Sequence, residues 1–384
     1  MQPFDLDVLI FPAATIFIAT LGVSALFTRD LVASLLLALL KSGIFTIYFS
    51  FIFDGTHTFL DDWTYLAGGK ELLLNGVGLE NLVQNWDEVT RVSRGRHFVY
   101  YLYNAYAIRI FGDAYFSPVA FNIVLTTAIA GLGTVLARAE FRINRYQSKW
   151  FYAFLLMHPD VLVWSTVMNG KDTLVLLAHV LLLLAVSLLF RGRLLQALLI
   201  ALPTVLTLSY LRFYVPPLFA LALVLGISLS KLRFQIRYCL IWVCAIAGLL
   251  LVMPDYVSSG INVGWLQGSL SNPIFGLLRT TLTPIPFLTE VSYQFLDVPA
   301  LIHWILMPFV ALGVVRVWRI RSPFSRVFLA CLLVFIGLYT VTEELQGPRQ
   351  RFQLLVAFAA LQFIGVLEAL RRTGGETLNK KRLQ

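Results

Sequence analysis

The residues best placed to do chemistry are two adjacent carboxylates in Asp61-Asp62-Trp63-Thr64-Tyr65, followed by a helix-like run from Lys70 to Leu74. Two acids side by side repel each other, so either one is held protonated or the pair shares a cation or a basic partner. Either arrangement suits a general base that takes a proton from a hydroxyl group. The competing reading is structural, with Asp61 capping the helix that follows.

Cations that could answer these acids recur along the chain as Lys70, Arg91, Arg94, Arg96, Lys171, Arg212, Arg279, Arg349 and Arg351. Arg212 is the sharpest case. It sits in the short turn Tyr210-Leu211-Arg212-Phe213-Tyr214 between two apolar runs, with Pro216-Pro217 following. A guanidinium there can hold a phosphate through two parallel hydrogen bonds; the alternative is that such arginines extend to lipid headgroups or pair with nearby acids. His57 and His97 lie in or near the acidic segment, whereas His179 and His303 fall in apolar surroundings that suit contacts between helices. His-Glu-x-x-His, Gly-x-x-x-x-Gly-Lys and Gly-x-Ser-x-Gly are all absent, which argues against zinc proteolysis, nucleotide hydrolysis and nucleophile-elbow chemistry.

The elements that must position these groups follow from composition. Of 384 residues, 58% are hydrophobic and only 13% charged, more apolar surface than a soluble core of this size can bury. The fold class expected is all-α and polytopic, because a spanning helix needs about 20 mostly apolar residues and such stretches run nearly end to end. They cover 8–27, 31–53, 117–137, 150–168, 173–190, 195–210, 213–230, 236–253, 300–318, 326–342 and 351–370, about eleven transmembrane helices. The first lacks the basic start of a signal peptide and reads as a retained helix. Cys239, Cys244 and Cys331 all fall within apolar runs, so neither a disulfide framework nor a zinc site is indicated.

The formal charge of +9 points to membrane topology rather than nucleic acid. Basic residues gather in alternate short loops, at Arg138, Arg142, Arg145 and Lys149, at Arg191 and Arg193, at Lys231, Arg233 and Arg237, at Arg316 to Arg326, and in the tail 371–384. Under the positive-inside rule these loops are cytoplasmic, and acids from Asp54 to Glu344 collect on the other side. The expected topology therefore has the N-terminus outside and the C-terminus inside. It closes only if Arg96 to Gly112 lies along the interface as an aromatic-rich amphipathic helix. One membrane domain, 1–384, then carries long outer loops at about 54–116 and 254–299 and a disordered basic tail after Arg372. The second loop, with Trp265, Pro273, Arg279, Pro284, Pro286, Tyr293 and Phe295, reads either as a cover over a lipid-facing cleft or as a re-entrant structural loop.

The acidic signature, then Ala67 and Leu74 to Gly76 after an early span, resembles the first-loop motif of the GT-C superfamily of glycosyltransferases, which includes the protein O-mannosyltransferases and the aminoarabinose transferases. His97-Phe98-Val99-Tyr100-Tyr101-Leu102 leading to Phe111-Gly112, His158-Pro159 leading to Lys171-Asp172, and Arg349-Gln350-Arg351-Phe352 are similar to later family segments in the same order. The resemblance implies a polyprenyl-phosphate sugar as donor and a glycan, lipid or other envelope acceptor, with Asp61 as catalytic carboxylate. Asp62 and Asp172 would orient the acceptor or hold a divalent ion. Lys171, Arg212, Arg279, Arg349 and Arg351 would bind the lipid phosphate, and Tyr65, His57 and His97 the sugar or acceptor. A metal on Asp61 and Asp172 is compatible with this scheme but not required, because arginines can neutralise a monophosphate leaving group. The implied setting is a bacterial inner membrane with the site on the periplasmic face. The alternatives are an O-antigen or exopolysaccharide polymerase or ligase using diphosphate-linked glycans and, behind that, a transporter of lipid-linked glycans.

Overall fold

The computed structural model describes residues 2–95, 97–230, 272–342 and 345–382, with 373–382 described by backbone alone. The expected span 236–253, Cys239, Cys244, Arg96, Trp265 and the first part of the 254–299 segment lie outside these residues. Among the described residues every regular element is helical. Helices suit these sequences because each satisfies its backbone polar groups internally, which an apolar environment demands.

The described helices are α1 (Leu6–Thr28), α2 (Leu31–Ile47, extended by a π turn to Ile52), α3 (Leu60–Leu74), α4 (Trp86–Ser93), α5 (Phe98–Phe111), α6 (Phe116–Glu140), α7 (Arg145–Leu156), α8 (Pro159–Val167), α9 (Asp172–Phe190), α10 (Leu194–Leu211), α11 (Val215–Ser228), α12 (Pro273–Leu282), α13 (Asp297–Ile320), α14 (Pro323–Val341), α15 (Pro348–Phe352) and α16 (Leu355–Arg382). Seven segments are long and apolar enough to cross a membrane: α1, α2 with its π turn, α6, α9, α10, α13 with the preceding 3-10 turn, and α14. The flanks of α1 and α2 leave Ile10, Ile18, Leu26, Leu36 and Ile47 more than half exposed, which suits an apolar solvent around the bundle.

Several expected spans take other forms. The run 150–168 is two helices, because Pro159 cannot donate a backbone hydrogen bond and drives His158 into an extended conformation, ending α7 and starting α8. The run 213–230 becomes the 14-residue α11. The last run opens with the short α15 before α16 begins at Leu355, and the helical backbone continues to Arg382 where a disordered tail was expected. The segment expected along the interface is α5, whose residues Tyr100, Leu102, Asn104, Ala105 and Ala107 are buried against α3, α6 and α10.

Small residues allow the closest helix crossings. A Cβ on Gly313 or Gly365 would lie 2.1 or 1.9 Å from a backbone carbonyl oxygen of the facing helix, so α13 and α16 meet backbone to backbone. Gly68 and Gly69 do the same for α3 on α5, where added Cβ atoms would lie 2.3 Å from the Tyr101 ring and 2.6 Å from the Asn104 Cβ. That approach brings the acidic start of α3 down onto the bundle.

Candidate functional site

Successive residues on a helix point about 100° apart, so Asp61 and Asp62 leave α3 in different directions. Asp62 turns inward and is fully buried. One of its carboxylate oxygens accepts from the Phe59 N–H at 3.1 Å and from the Tyr115 hydroxyl at 2.9 Å, so Asp62 rather than Asp61 reaches back to the N-terminus of α3. Its other oxygen is buried without a partner among the described residues. Burial pushes the Asp62 carboxyl up to about 7 despite those two hydrogen bonds and the nearby Arg349. Asp61 turns outward with its side chain 58% exposed, 3.6 Å from the Arg349 guanidinium.

Behind Asp61 stands a constellation assembled from three distant parts of the chain. Asp172 begins α9, where the helix dipole favours an anion. It is buried and accepts from Arg212 Nη2 at 2.9 Å, Gln353 Nε2 at 2.8 Å and Arg349 Nε at 2.5 Å. Arg212 closes α10, and α15 with the residue after it supplies Arg349 and Gln353. Lys171, also buried, donates to the Tyr65 hydroxyl at 2.8 Å. Burial, together with the guanidinium groups of Arg212 and Arg349, holds the Lys171 ammonium well below the usual lysine range. Three bases thus surround one buried acid, and Arg212 Nε and Arg349 Nη2 have no hydrogen-bond partner among the described residues. Unpaired buried donors of this kind are strong attractors for an anion.

Asp61 and Tyr65 border a cleft of about 560 Å³ whose walls include Glu71, Arg94, His97 and Tyr101. His97 starts α5 in the left-handed conformation, φ 57°, with its Nδ1 3.4 Å from the Tyr210 carbonyl. Burial and the nearby Lys171 and Arg212 lower its imidazole to about 3, so it faces the cleft neutral at physiological pH.

The structure thus brings together Asp61, Asp62, Tyr65, His97, Lys171, Asp172, Arg212 and Arg349. Three of the expected binding residues lie elsewhere. Arg351 is buried and donates to the carbonyls of Thr281 at 3.3 Å and Thr283 at 2.5 Å, tying α15 to the end of α12. Arg279 is exposed on α12, and the His57 ring packs edge-on against Phe295 at 5.4 Å. Asp172 presents its oxygens to Arg349, Arg212 and Gln353, so both are engaged by donors. No group of three His, Cys, Asp or Glu side chains suited to a metal occurs among the described residues.

A second layer holds the constellation and was not singled out in the sequence. Asn169, fully buried in the turn before α9, donates to the Asp62 carbonyl at 2.9 Å and to Asn104 Oδ1 at 2.8 Å, and accepts from the Tyr100 hydroxyl at 2.7 Å. The Tyr115 hydroxyl also accepts from the Asn169 N–H at 3.2 Å. Tyr100 and Asn104 stand four residues apart on one face of α5, and Arg349 and Gln353 share the same spacing. Such polar pairs within apolar sequence were the available signal. Irregular backbone at 168–171 is satisfied by side chains, with Asn122 Nδ2 donating to the Met168 and Gly170 carbonyls and the Tyr115 hydroxyl accepting from the Asn169 N–H.

The geometry sets cationic donors that could neutralise an oxyanion beside the exposed carboxylate of Asp61. Compared with known proteins, the chain matches no family model, no curated protein and no solved structure.

Proposed function

We propose that this chain is a GT-C-like polytopic membrane glycosyltransferase that moves a sugar from a polyprenyl-phosphate donor to an envelope glycan, lipid or other acceptor. One observation carries the reading. The exposed carboxylate of Asp61 borders an open cleft and stands 3.6 Å from Arg349, within a constellation of three bases around the buried Asp172. The pairing supplies what glycosyl transfer from a lipid phosphate needs, a base for the incoming hydroxyl and cations for the departing phosphate.

The orientation also supports it. Asp172 and Arg212 sit at the site ends of α9 and α10, whereas the other ends carry Arg191 and Arg193. Arg191 pairs with Glu140 at the far end of α6 at 3.0 Å, so the basic loops and the site occupy opposite ends of these helices. If the basic loops are cytoplasmic, the site faces outward, with the N-terminus outside and the C-terminus inside. On this reading the full chain has about eleven spans in a bacterial inner membrane, and the segments between α2 and α6 form the extracytoplasmic cover of the site.

In the reaction, Asp61 takes the proton of the acceptor hydroxyl as its oxygen attacks the anomeric carbon. The bond from that carbon to the phosphate oxygen breaks, and its electron pair leaves on the lipid phosphate. Arg349 and Arg212 offer that oxyanion their unpartnered N–H groups, and Lys171 gains a proton more readily as the negative charge arrives. Attack from the face opposite the phosphate inverts the anomeric centre.

The test is lipid-phosphate release by wild type and Asp61→Asn in nanodiscs with polyprenyl-phosphate and polyprenyl-diphosphate sugars. Loss of a general base is expected to slow turnover of a monophosphate donor by about 10²–10⁴-fold. Turnover confined to diphosphate donors, or an Asp61→Asn variant as fast as wild type, would sink the assignment in favour of a polymerase or ligase.

A further inference from the structure

The cleft beside Asp61 has a charge pattern that the phosphate-binding constellation does not explain. Its two carboxylates already have partners. Asp61 lies 3.6 Å from Arg349, and Glu71 is bound at 2.7 Å by Arg91, which also holds Glu88 at 2.5 Å. His97 adds no charge. Arg94 has no carboxylate within ion-pairing distance among the described residues, although its side chain is exposed on the cleft wall. It closes α4 in the left-handed conformation, φ 52°, a geometry uncommon for a residue with a Cβ, and its N–H is fixed to the Thr90 carbonyl.

The wall between Asp61 and Arg94 is equally specific. Tyr101 lines the cleft together with Asp61 and Arg94. Tyr101 holds that place because its ring rests against Gly68, where any side chain would collide with it. A ligand in this cleft meets both a proton acceptor and a guanidinium that has no carboxylate partner among the described residues. A guanidinium fork matches carboxylate and phosphate oxygens alike.

We propose that the acceptor is a hydroxylated anion, a sugar or glycan end bearing a carboxylate or phosphate, whose charge is bound by Arg94 while Asp61 faces a neighbouring hydroxyl. The inference rests on the glycosyl-transfer reading and adds the acceptor's chemical class. Arg94 acts here as a specificity residue, and its loss leaves the Asp61–Arg349 pair intact.

The test is equilibrium binding to the full chain in nanodiscs, with cellobiouronic acid as carboxylate probe, glucose 6-phosphate as phosphate probe and cellobiose as neutral probe. Wild type is expected to bind one of the anions about tenfold or more tighter than cellobiose, and the stronger of the two identifies the anion. Arg94→Gln should erase that preference and leave cellobiose binding unchanged. Arg94→Lys should restore part of it. Equal binding of all three probes by wild type, or a preference that survives in Arg94→Gln, would overturn the inference. Turnover by Asp61→Asn separates the two levels. If Asp61→Asn remains active while Arg94→Gln loses the preference, the anion site stands and the transferase reading falls. If Asp61→Asn is inactive and wild type shows no preference, the acceptor inference alone falls.

Discussion

Arg349 and Arg351 lie two residues apart on the same short helix, yet they serve different structures. Arg349 meets Asp172 and Asp61 and keeps one buried N–H without a hydrogen-bond partner among the described residues. Arg351 points to the other side and donates to two backbone carbonyls at the end of α12. Asp61 and Asp62 repeat the contrast on α3, one exposed at the cleft and one buried as a helix fastener. In each pair the residue type is identical and the angular position on the helix decides the role. A charged side chain can act on a ligand only if its partners leave part of it uncommitted.

Substitution of the two arginines is the strongest way to break this contrast. Arg349→Gln should lower turnover by about 10²–10³-fold, as expected for loss of a donor to a developing oxyanion. Opening a buried ion pair should also cost about 3–5 kcal/mol of stability. Arg351→Gln should lower the thermal midpoint through its two released carbonyls, yet leave donor KM and turnover of the folded fraction close to wild type. Equal loss of turnover per folded molecule in both variants would show that the division between the two arginines is mistaken.

The aspartate pair gives the next largest effect. Folded, the Asp62 carboxyl titrates at about 7, far above its value in an unfolded chain. Between about pH 4 and 7 the unfolded state therefore binds fewer protons than the folded one, and stability falls as pH rises across that window. The contribution is fully present below the unfolded value, is lost as pH climbs through about 7, and amounts to at most about 4 kcal/mol. Asp62→Asn can still accept from Phe59 and Tyr115 but cannot ionise, so its thermal midpoint should vary less from pH 4.5 to 7.5. Parallel pH curves for wild type and variant would remove Asp62 from the account.

Much of this arrangement was legible before any coordinates. The seven long apolar helices follow from run length alone, and the turns holding Lys171-Asp172 and Arg212 stood out as charge where apolar sequence pauses. What could not be read was angular and tertiary. Run length made 150–168 a single span because the window averaged across His158-Pro159, where a pre-proline conformation ends one helix and starts another. Adjacent acids carry no mark of which one turns inward, because that depends on where Tyr115 arrives just before α6. Asn169 was invisible as a hub because its partners come from α3, α5 and the residues before α6, brought together only by packing.

Arg279 offers the smallest and sharpest control. It was grouped with Arg212 and Arg349 on residue type and expected side of the membrane, but it lies exposed on α12, outside the ion pairs and hydrogen bonds that join those two to Asp172. Exposed charges away from such networks change stability by about 0.5 kcal/mol or less when replaced. Arg279→Gln should therefore leave the thermal midpoint close to that of wild type and donor KM within about twofold of it. A large rise in donor KM, with the thermal midpoint unchanged, would mean that α12 moves toward Arg349 when the lipid phosphate binds. The boundary between ligand-facing and structural cations would then be set by the bound state, and α12 would join the site as a mobile cover.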